Sequence, residues 1–187
     1  VLMAAASVLA ARREEIAGTV IFVFQPSEEG RNPDGGPGGA ERMLAENVFG
    51  DLQPEAIFGL HAWPRDAGTV TIVDGPFMAG ADQLRINVIG RQTHGAAPWL
   101  GVDPIVTSAQ VILGLQTVVS RGVDISREPA VVTVGMIKGG VRENIIPDNV
   151  EMRGTIRTFD EGMRDDVHER VTTLAEAVSR GSRAGCT

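Results

Sequence analysis

Leu84-Arg-Ile-Asn-Val-Ile89 alternates apolar and polar side chains, whereas Thr19-Val-Ile-Phe-Val-Phe24 is β-branched or aromatic at every position. Alternation is the pattern of a strand with one face in water; an unbroken apolar run suits a strand covered on both faces in an α/β sheet. The contrast predicts two regions with different architecture in one α/β chain.

Outward from Thr19, the spacing of Leu2, Ala5, Ala6, Leu9 and Ala10 predicts a helix stopped by Gly18. The run 19–24 ends at Gln25-Pro-Ser-Glu-Glu-Gly30, residues 31–39 are turn-formers, and Ala40–Asn47 reads as a helix with Met43 and Leu44 inward. Ala56–Leu60 reads as a second buried strand running into His61-Ala-Trp-Pro64, and Gly68–Val73 as a third. Outward from Leu84, Asp103–Val119 predicts a helix with an apolar stripe of Ile105, Ala109, Ile112, Leu113 and Leu115. Ala130–Ile137 and Asn149–Phe159 read as strands, and Asp160–Ser179 as a helix with Asp160 as its N-cap. The resulting β-α-β-β-α order is the ferredoxin-like plan with its last strand missing. The expected domains are 1–80 and 81–187.

Composition narrows the function. The chain has 187 residues, 43% of them hydrophobic and 22% charged, which describes a folded globular protein. Its 17 basic and 24 acidic side chains give a net charge of −7, a field that repels nucleic acid. No apolar run approaches the roughly 20 residues of a membrane helix, so a membrane is not an expected partner. The single cysteine, Cys186, forms no internal disulfide and fits a reducing cytoplasm.

Few residues carry chemistry. Glu28 and Glu29 follow the first apolar run, at the strand end where open α/β sheets place their sites. Such a pair can divide metal ligation and proton transfer, or it can be two solvated acids. His61 occupies the equivalent place one strand later, as a metal ligand or as a hydrogen-bonded strand end. His94, in Gly90-Arg-Gln-Thr-His-Gly-Ala-Ala-Pro98, has small neighbours that admit a ligand or another subunit and equally suit a turn. Asn144 precedes Ile-Ile-Pro147 and can simply satisfy backbone, while His168 reads as a surface helix residue. The glycine loop 34–39 lacks the Lys-Ser/Thr of a P-loop, and no Gly-x-Ser-x-Gly occurs.

Four segments, Gln-Pro-Ser-Glu-Glu-Gly (25–30), Gly-Leu-His-Ala-Trp-Pro (59–64), Thr-His-Gly-Ala-Ala-Pro (93–98) with Gly-Val-Asp-Pro-Ile (101–105), and Glu-Asn-Ile-Ile-Pro-Asp (143–148), occur in an order that carries a family resemblance. The chain resembles the metal-dependent amidohydrolases that include hippurate, N-acyl-amino-acid and auxin-conjugate hydrolases, related to aminoacylase and the zinc carboxypeptidases. The resemblance implies a partial phosphorylase/hydrolase-like zinc peptidase catalytic domain, 1–80, interrupted by a ferredoxin-like lid or dimerisation domain, 81–187. It implies two divalent metal ions, zinc or manganese, and cleavage of the amide of a small N-acyl amino acid or peptide. By matching position, Glu28 is expected as general base, Glu29 and His61 as metal ligands, and His94 and Asn144 as lid groups that hold the substrate carboxylate or the oxyanion. A homodimer through the lid is expected as well. Family members also carry a His-Asp-x-His segment before the first helix and a last histidine ligand far downstream. Neither is present here, so the expectation is an internal fragment that binds metal poorly and does not turn over alone. The alternative from another class is a non-catalytic dimerisation or binding module.

Overall fold

The computed structural model describes residues 1–28 and 36–187, and the chain divides into two compact units, Val1–Thr69 and Val70–Thr187.

The first unit carries helices α1 (Leu2–Ala11) and α2 (Gly39–Ala45). Leu2, Ala5, Ala6 and Leu9 of α1 are half-buried, as their spacing predicts, whereas Ala10 of the same expected stripe is exposed. In α2 Met43 is half-buried but Leu44 is exposed, against the expectation that both point inward. The larger correction concerns the three buried strands expected at 19–24, 56–60 and 68–73. None of these segments is in a ladder among the described residues. Ile57, Phe58 and Ile72 are 77%, 90% and 88% exposed. The reason is physical: a strand buried on both faces exists only when neighbours take its N–H and C=O groups and other elements cover its side chains. Local β-propensity supplies neither.

The second unit has its own sheet. Strands β1 (Gly80–Ile89), β3 (Ala130–Gly139), β5 (Asn149–Thr158) and β6 (Gly185–Cys186) form an antiparallel sheet in the order β3-β5-β1-β6. A separate two-stranded ribbon pairs β2 (Thr93–His94) with β4 (Ile145–Ile146). Helices α3 (Pro104–Thr117) and α4 (Glu161–Gly181) pack on the sheet. β1 and β5 pair without interruption from Gly80↔Thr158 to Ile89↔Asn149, and β3 joins β5 with a bulge between Val134 and Met136, at Gly135.

Alternation turns Ile86 and Val88 of β1, and Val150, Met152 and Ile156 of β5, toward the helices. There they meet Val111 and Leu115 of α3 and Val167, Val171 and Ala175 of α4. Each of the valine, leucine, isoleucine and methionine side chains among them contributes roughly 1.5–3 kcal/mol on burial. The opposite face is polar: Arg85 lies directly across from Arg153, and Glu151 offsets their repulsion with an oxygen 2.7 Å from the Arg153 guanidinium.

Both helices begin at aspartate caps. Asp103 accepts from the Ile105 and Val106 amides at 2.9 and 3.2 Å, and Asp160 accepts from Met163 at 2.7 Å. The buried stripe of α3 follows expectation in part: Leu115 is buried and Ile112 half-buried against the core as expected, but Pro104, Thr107, Ser108 and Val111 make up the rest of the inner face, while Ile105, Ala109 and Leu113 are exposed. Because this helix is apolar on most sides, hydrophobicity alone does not mark its inner face. Thr107 is accommodated because its hydroxyl donates to the Asp103 carbonyl at 2.8 Å. The hydroxyls of Ser108 and of Ser179 on α4 are buried without a partner among the described residues.

His168 also departs from its reading as a plain surface residue. Its Nε2 lies 3.2 Å from an Asp82 oxygen, and Arg164 grips the same carboxylate with Nε and Nη2 at 2.7 and 2.8 Å. This clamp ties the first turns of α4 to the start of β1. The Arg164 hydrogen bonds hold the Asp82 carboxyl below its usual range; partial burial opposes them, and His168 adds to the lowering.

The expected absence of a closing strand is corrected too. After α4, Arg183 takes a left-handed φ of +61° and the Ala184 amide donates to the Ser179 carbonyl at 2.8 Å. The reversed chain lays β6 against Val88 and Ile89, and Asn87 and Thr187 exchange two further backbone bonds at 2.7 and 3.0 Å. A two-residue Gly-Cys strand after a turn without glycine offers almost no sequence pattern.

Candidate active site

In the first unit the structure brings Glu28 and His61 together. The apolar run 19–24 leads to Ser27, whose left-handed φ of +50° bends the chain just before Glu28. The Glu28 Oε2 and His61 Nε2 atoms are 3.9 Å apart, with side chains 50% and 45% exposed. That separation is too long for a direct hydrogen bond.

The other ring nitrogen is anchored: Nδ1 is 2.6 Å from the Ala62 carbonyl oxygen, which can only accept, so Nδ1 donates there, and in the neutral ring Nε2 presents a lone pair on the side of Glu28. A histidine anchored by one N–H with the other nitrogen bare is the arrangement of a metal-ligating imidazole. Trp63 stands edge-on to the ring at a centroid distance of 6.1 Å. The donor chemistry therefore fits a divalent cation. The set is incomplete: among the described residues no three His, Cys, Asp or Glu side chains gather around one point. Glu29 lies outside the described residues, as do Asp34 and Gly35 of the glycine loop.

In the second unit the β2–β4 ribbon brings His94 and Asn144 together. His94 pairs with Ile145, and the Gly95 amide donates to the Asn144 carbonyl at 2.8 Å. A β-turn spans His94–Ala97, closed by the Ala97 amide on the His94 carbonyl at 2.8 Å. Thr93 adds a hydroxyl bond to the Ala97 carbonyl at 3.2 Å. The loop is fastened behind by Arg91 and Val102, which exchange backbone bonds at 2.9 and 3.0 Å. Both His94 and Asn144 are exposed. Gly95, inside this turn, is closely approached: a Cβ there would stand 3.2 Å from the Asn144 carbonyl oxygen, so a larger residue would push the ribbon back by a few tenths of an ångström. His94 Nδ1 accepts from the Ala96 amide at 3.1 Å.

Sequence reasoning missed the two backbone groups that fix these imidazoles, the Ala62 carbonyl and the Ala96 amide. Main-chain atoms carry no residue-type signal; only the small side chains around each histidine hint at a close approach.

Residues 79–182 match the family model of the peptidase dimerisation domain of M20 peptidases, a span that runs from the edge of β1 through α4. The chain belongs to the M20 peptidase family. Among relatives of this M20 chain, the N-acetylcysteine deacetylase of Bacillus subtilis is 38% identical, over 96% of this chain and 45% of the relative. The N-acyl-L-amino acid amidohydrolase of Geobacillus stearothermophilus is 36% identical, over 98% of this chain and 48% of that enzyme. A crystal structure of a Bacillus subtilis dinuclear metal binding peptidase of the M20 family superposes with a TM-score of 0.69 and 34% identity, over 97% of this chain and 43% of that one. A protein from methicillin-resistant Staphylococcus aureus superposes with a TM-score of 0.83 and 29% identity, over 97% of this chain and 47% of that one. The M20 chain thus spans about half the length of the curated relatives it matches. Among the described residues, no helix is long and apolar enough to cross a membrane.

Proposed function

We propose that this M20 chain forms the central part of a metal-dependent amidohydrolase that cleaves the amide bond of N-acyl amino acids or small peptides. The observation that carries the reading is the Glu28–His61 pair, a carboxylate facing the bare nitrogen of an anchored imidazole, within segments that match N-acyl amino acid amidohydrolases and deacetylases.

In this reading His61, through Nε2, and Glu29 hold two divalent metal ions, zinc or manganese, together with ligands from outside the chain. Bound there, the metals would polarise the amide carbonyl and acidify the attacking water. Glu28 takes the proton from that water and delivers it to the leaving amine nitrogen, the work of a general base turned general acid. His94 and Asn144 belong to a ferredoxin-like lid, 81–187, set into a catalytic domain that includes 1–80. They hold the substrate carboxylate or the oxyanion as charge develops. With only Glu29 and His61 as donors, the isolated chain binds metal weakly and does not turn over.

The lid makes a homodimer. Two exposed features support this: β3 is an edge strand of ten residues, and the outer side of α3 displays Ile105, Val106 and Leu113. Negative net charge and a single cysteine accord with a cytoplasmic enzyme that binds neither nucleic acid nor membrane.

The alternative, a dimerisation module without catalysis, is favoured by one observation: the described residues offer a pair of metal donors and no cluster of three. A chimera separates the two. Residues 1–187 replace the aligned segment of the Geobacillus amidohydrolase, and release of the amino acid from its N-acetyl derivative is followed with zinc or manganese. The amidohydrolase reading predicts turnover. A folded, metal-loaded dimer without turnover would support the module instead.

A further inference from the structure

The start of α2 and the turn that carries Glu28 touch backbone to backbone, and the contact leaves room only for hydrogen on one side. A Cβ built on Gly39 would overlap the Pro26 carbonyl oxygen, and it would stand 2.7 Å from the Pro26 carbonyl carbon and 3.2 Å from Cγ of Gln25. Main-chain atoms cannot swing aside as the end of a long side chain can, so this close approach requires glycine. Gly39 is also the one buried residue of α2. Its neighbour Gly38 gives the contrast: a Cβ there meets nothing within 4 Å, and its φ of −62° suits any residue. We propose that Gly39 is a positioning residue for Glu28: by letting α2 seat directly against Pro26, it sets the place of the turn that presents the Glu28 carboxylate to His61.

Pro26 lies two residues before Glu28, and the residue between them, Ser27, holds a left-handed φ of +50°. A displacement of Pro26 is therefore passed to Glu28 through a single tight bend. His61 does not follow that movement, because its own anchor is the Ala62 carbonyl, 2.6 Å from Nδ1. A methyl group at residue 39 pushes Pro26 away from α2 and changes the 3.9 Å separation of Glu28 Oε2 and His61 Nε2. A misplacement of about 1 Å at a reacting group costs up to about 10²-fold in rate. The consequence for turnover rests on the amidohydrolase reading above; the contact and its hold on Glu28 do not.

The test has two arms. In the isotope-labelled 187-residue chain, a nuclear Overhauser effect is expected between the Gly39 α protons and the Gln25 γ protons. Gly39→Ala is expected to shift the Glu28 side-chain signals, and Gly38→Ala to leave them in place. In the active chimera at saturating metal, Gly39→Ala lowers kcat by roughly ten- to a hundredfold with KM unchanged, while Gly38→Ala leaves kcat as it is. In a Glu28→Gln background Gly39→Ala costs little more, because the group it positions has gone. Absence of the Overhauser contact in the wild-type chain, which is read without any variant, overturns the inference whether or not the chimera turns over. Equal responses to alanine at residues 38 and 39 overturn it, as does a Gly39→Ala loss of the same size in the Glu28→Gln background, which would mean a structural effect that does not act through Glu28. An inactive chimera, in a chain whose Overhauser contact and Glu28 shift are both seen, counts against the amidohydrolase reading alone.

Discussion

Arg164 and Asp82 meet in a two-pronged ion pair, Nε and Nη2 at 2.7 and 2.8 Å from the two carboxylate oxygens, that fastens α4 to the first strand of the four-stranded sheet. Residue 82 lies on β1 and residue 164 on α4, which follows four strands later, so the pair closes the long path of the chain around this unit.

The pair predicts an acid-sensitive fold. Arg164 first, and His168 after it, hold the Asp82 carboxyl below its usual range, with burial opposing them. A depressed carboxyl stabilises the fold fully above its unfolded value, about 3.9, and that contribution is lost as pH falls through the lower folded value. Urea denaturation of wild type and Asp82→Asn should show the variant less stable at neutral pH. The difference should close at pH values below the usual carboxylate range. A constant gap across the acid range would contradict the clamp.

The inner faces of α3 and α4 predict opposite responses from two buried groups. Leu115 is in the core, and Leu115→Ala should cost about 2–5 kcal/mol in chemical denaturation. Ser179 is equally buried, but its hydroxyl has no partner, so Ser179→Ala should be neutral or stabilising by up to about 1 kcal/mol. A strongly destabilised Ser179→Ala would mean that the hydroxyl is satisfied in solution.

Dimerisation through the lid predicts that an exposed helix position matters for assembly and not for folding. Leu113 is 71% exposed on α3. Leu113→Glu should shift the sedimentation coefficient from dimer to monomer while changing unfolding free energy by less than about 0.5 kcal/mol, as for surface substitutions generally. A dimer that persists unchanged would move the interface elsewhere.

How much of this is readable in the sequence depends on where each element draws its stability. β1, β5 and α4 were legible because alternation and helical spacing match faces that this chain buries by itself, Ile86 and Val88 against Val167 and Val171. The segments 19–24 and 56–60 carry strong β patterns and yet join no ladder among the described residues, because ladder bonds are long-range and no propensity provides them. The inner stripe of α3 misled because Ile105 and Leu113 are as apolar as Val111, so the choice of face depends on tertiary contacts. Glu28 and His61 are expected near one another from strand ends that do not form here, and they lie 3.9 Å apart; the backbone groups that orient His61 and His94 leave no trace in residue type.

The central claim is that Glu28 moves the proton at a metal site that His61 helps to build. The most direct measurement compares Glu28→Gln with wild type in the metal-loaded chimera, reading bound metal and kcat on the same samples. The account predicts unchanged metal content and a kcat lower by about 10²–10⁴. A variant that keeps both its metal and its turnover would contradict it.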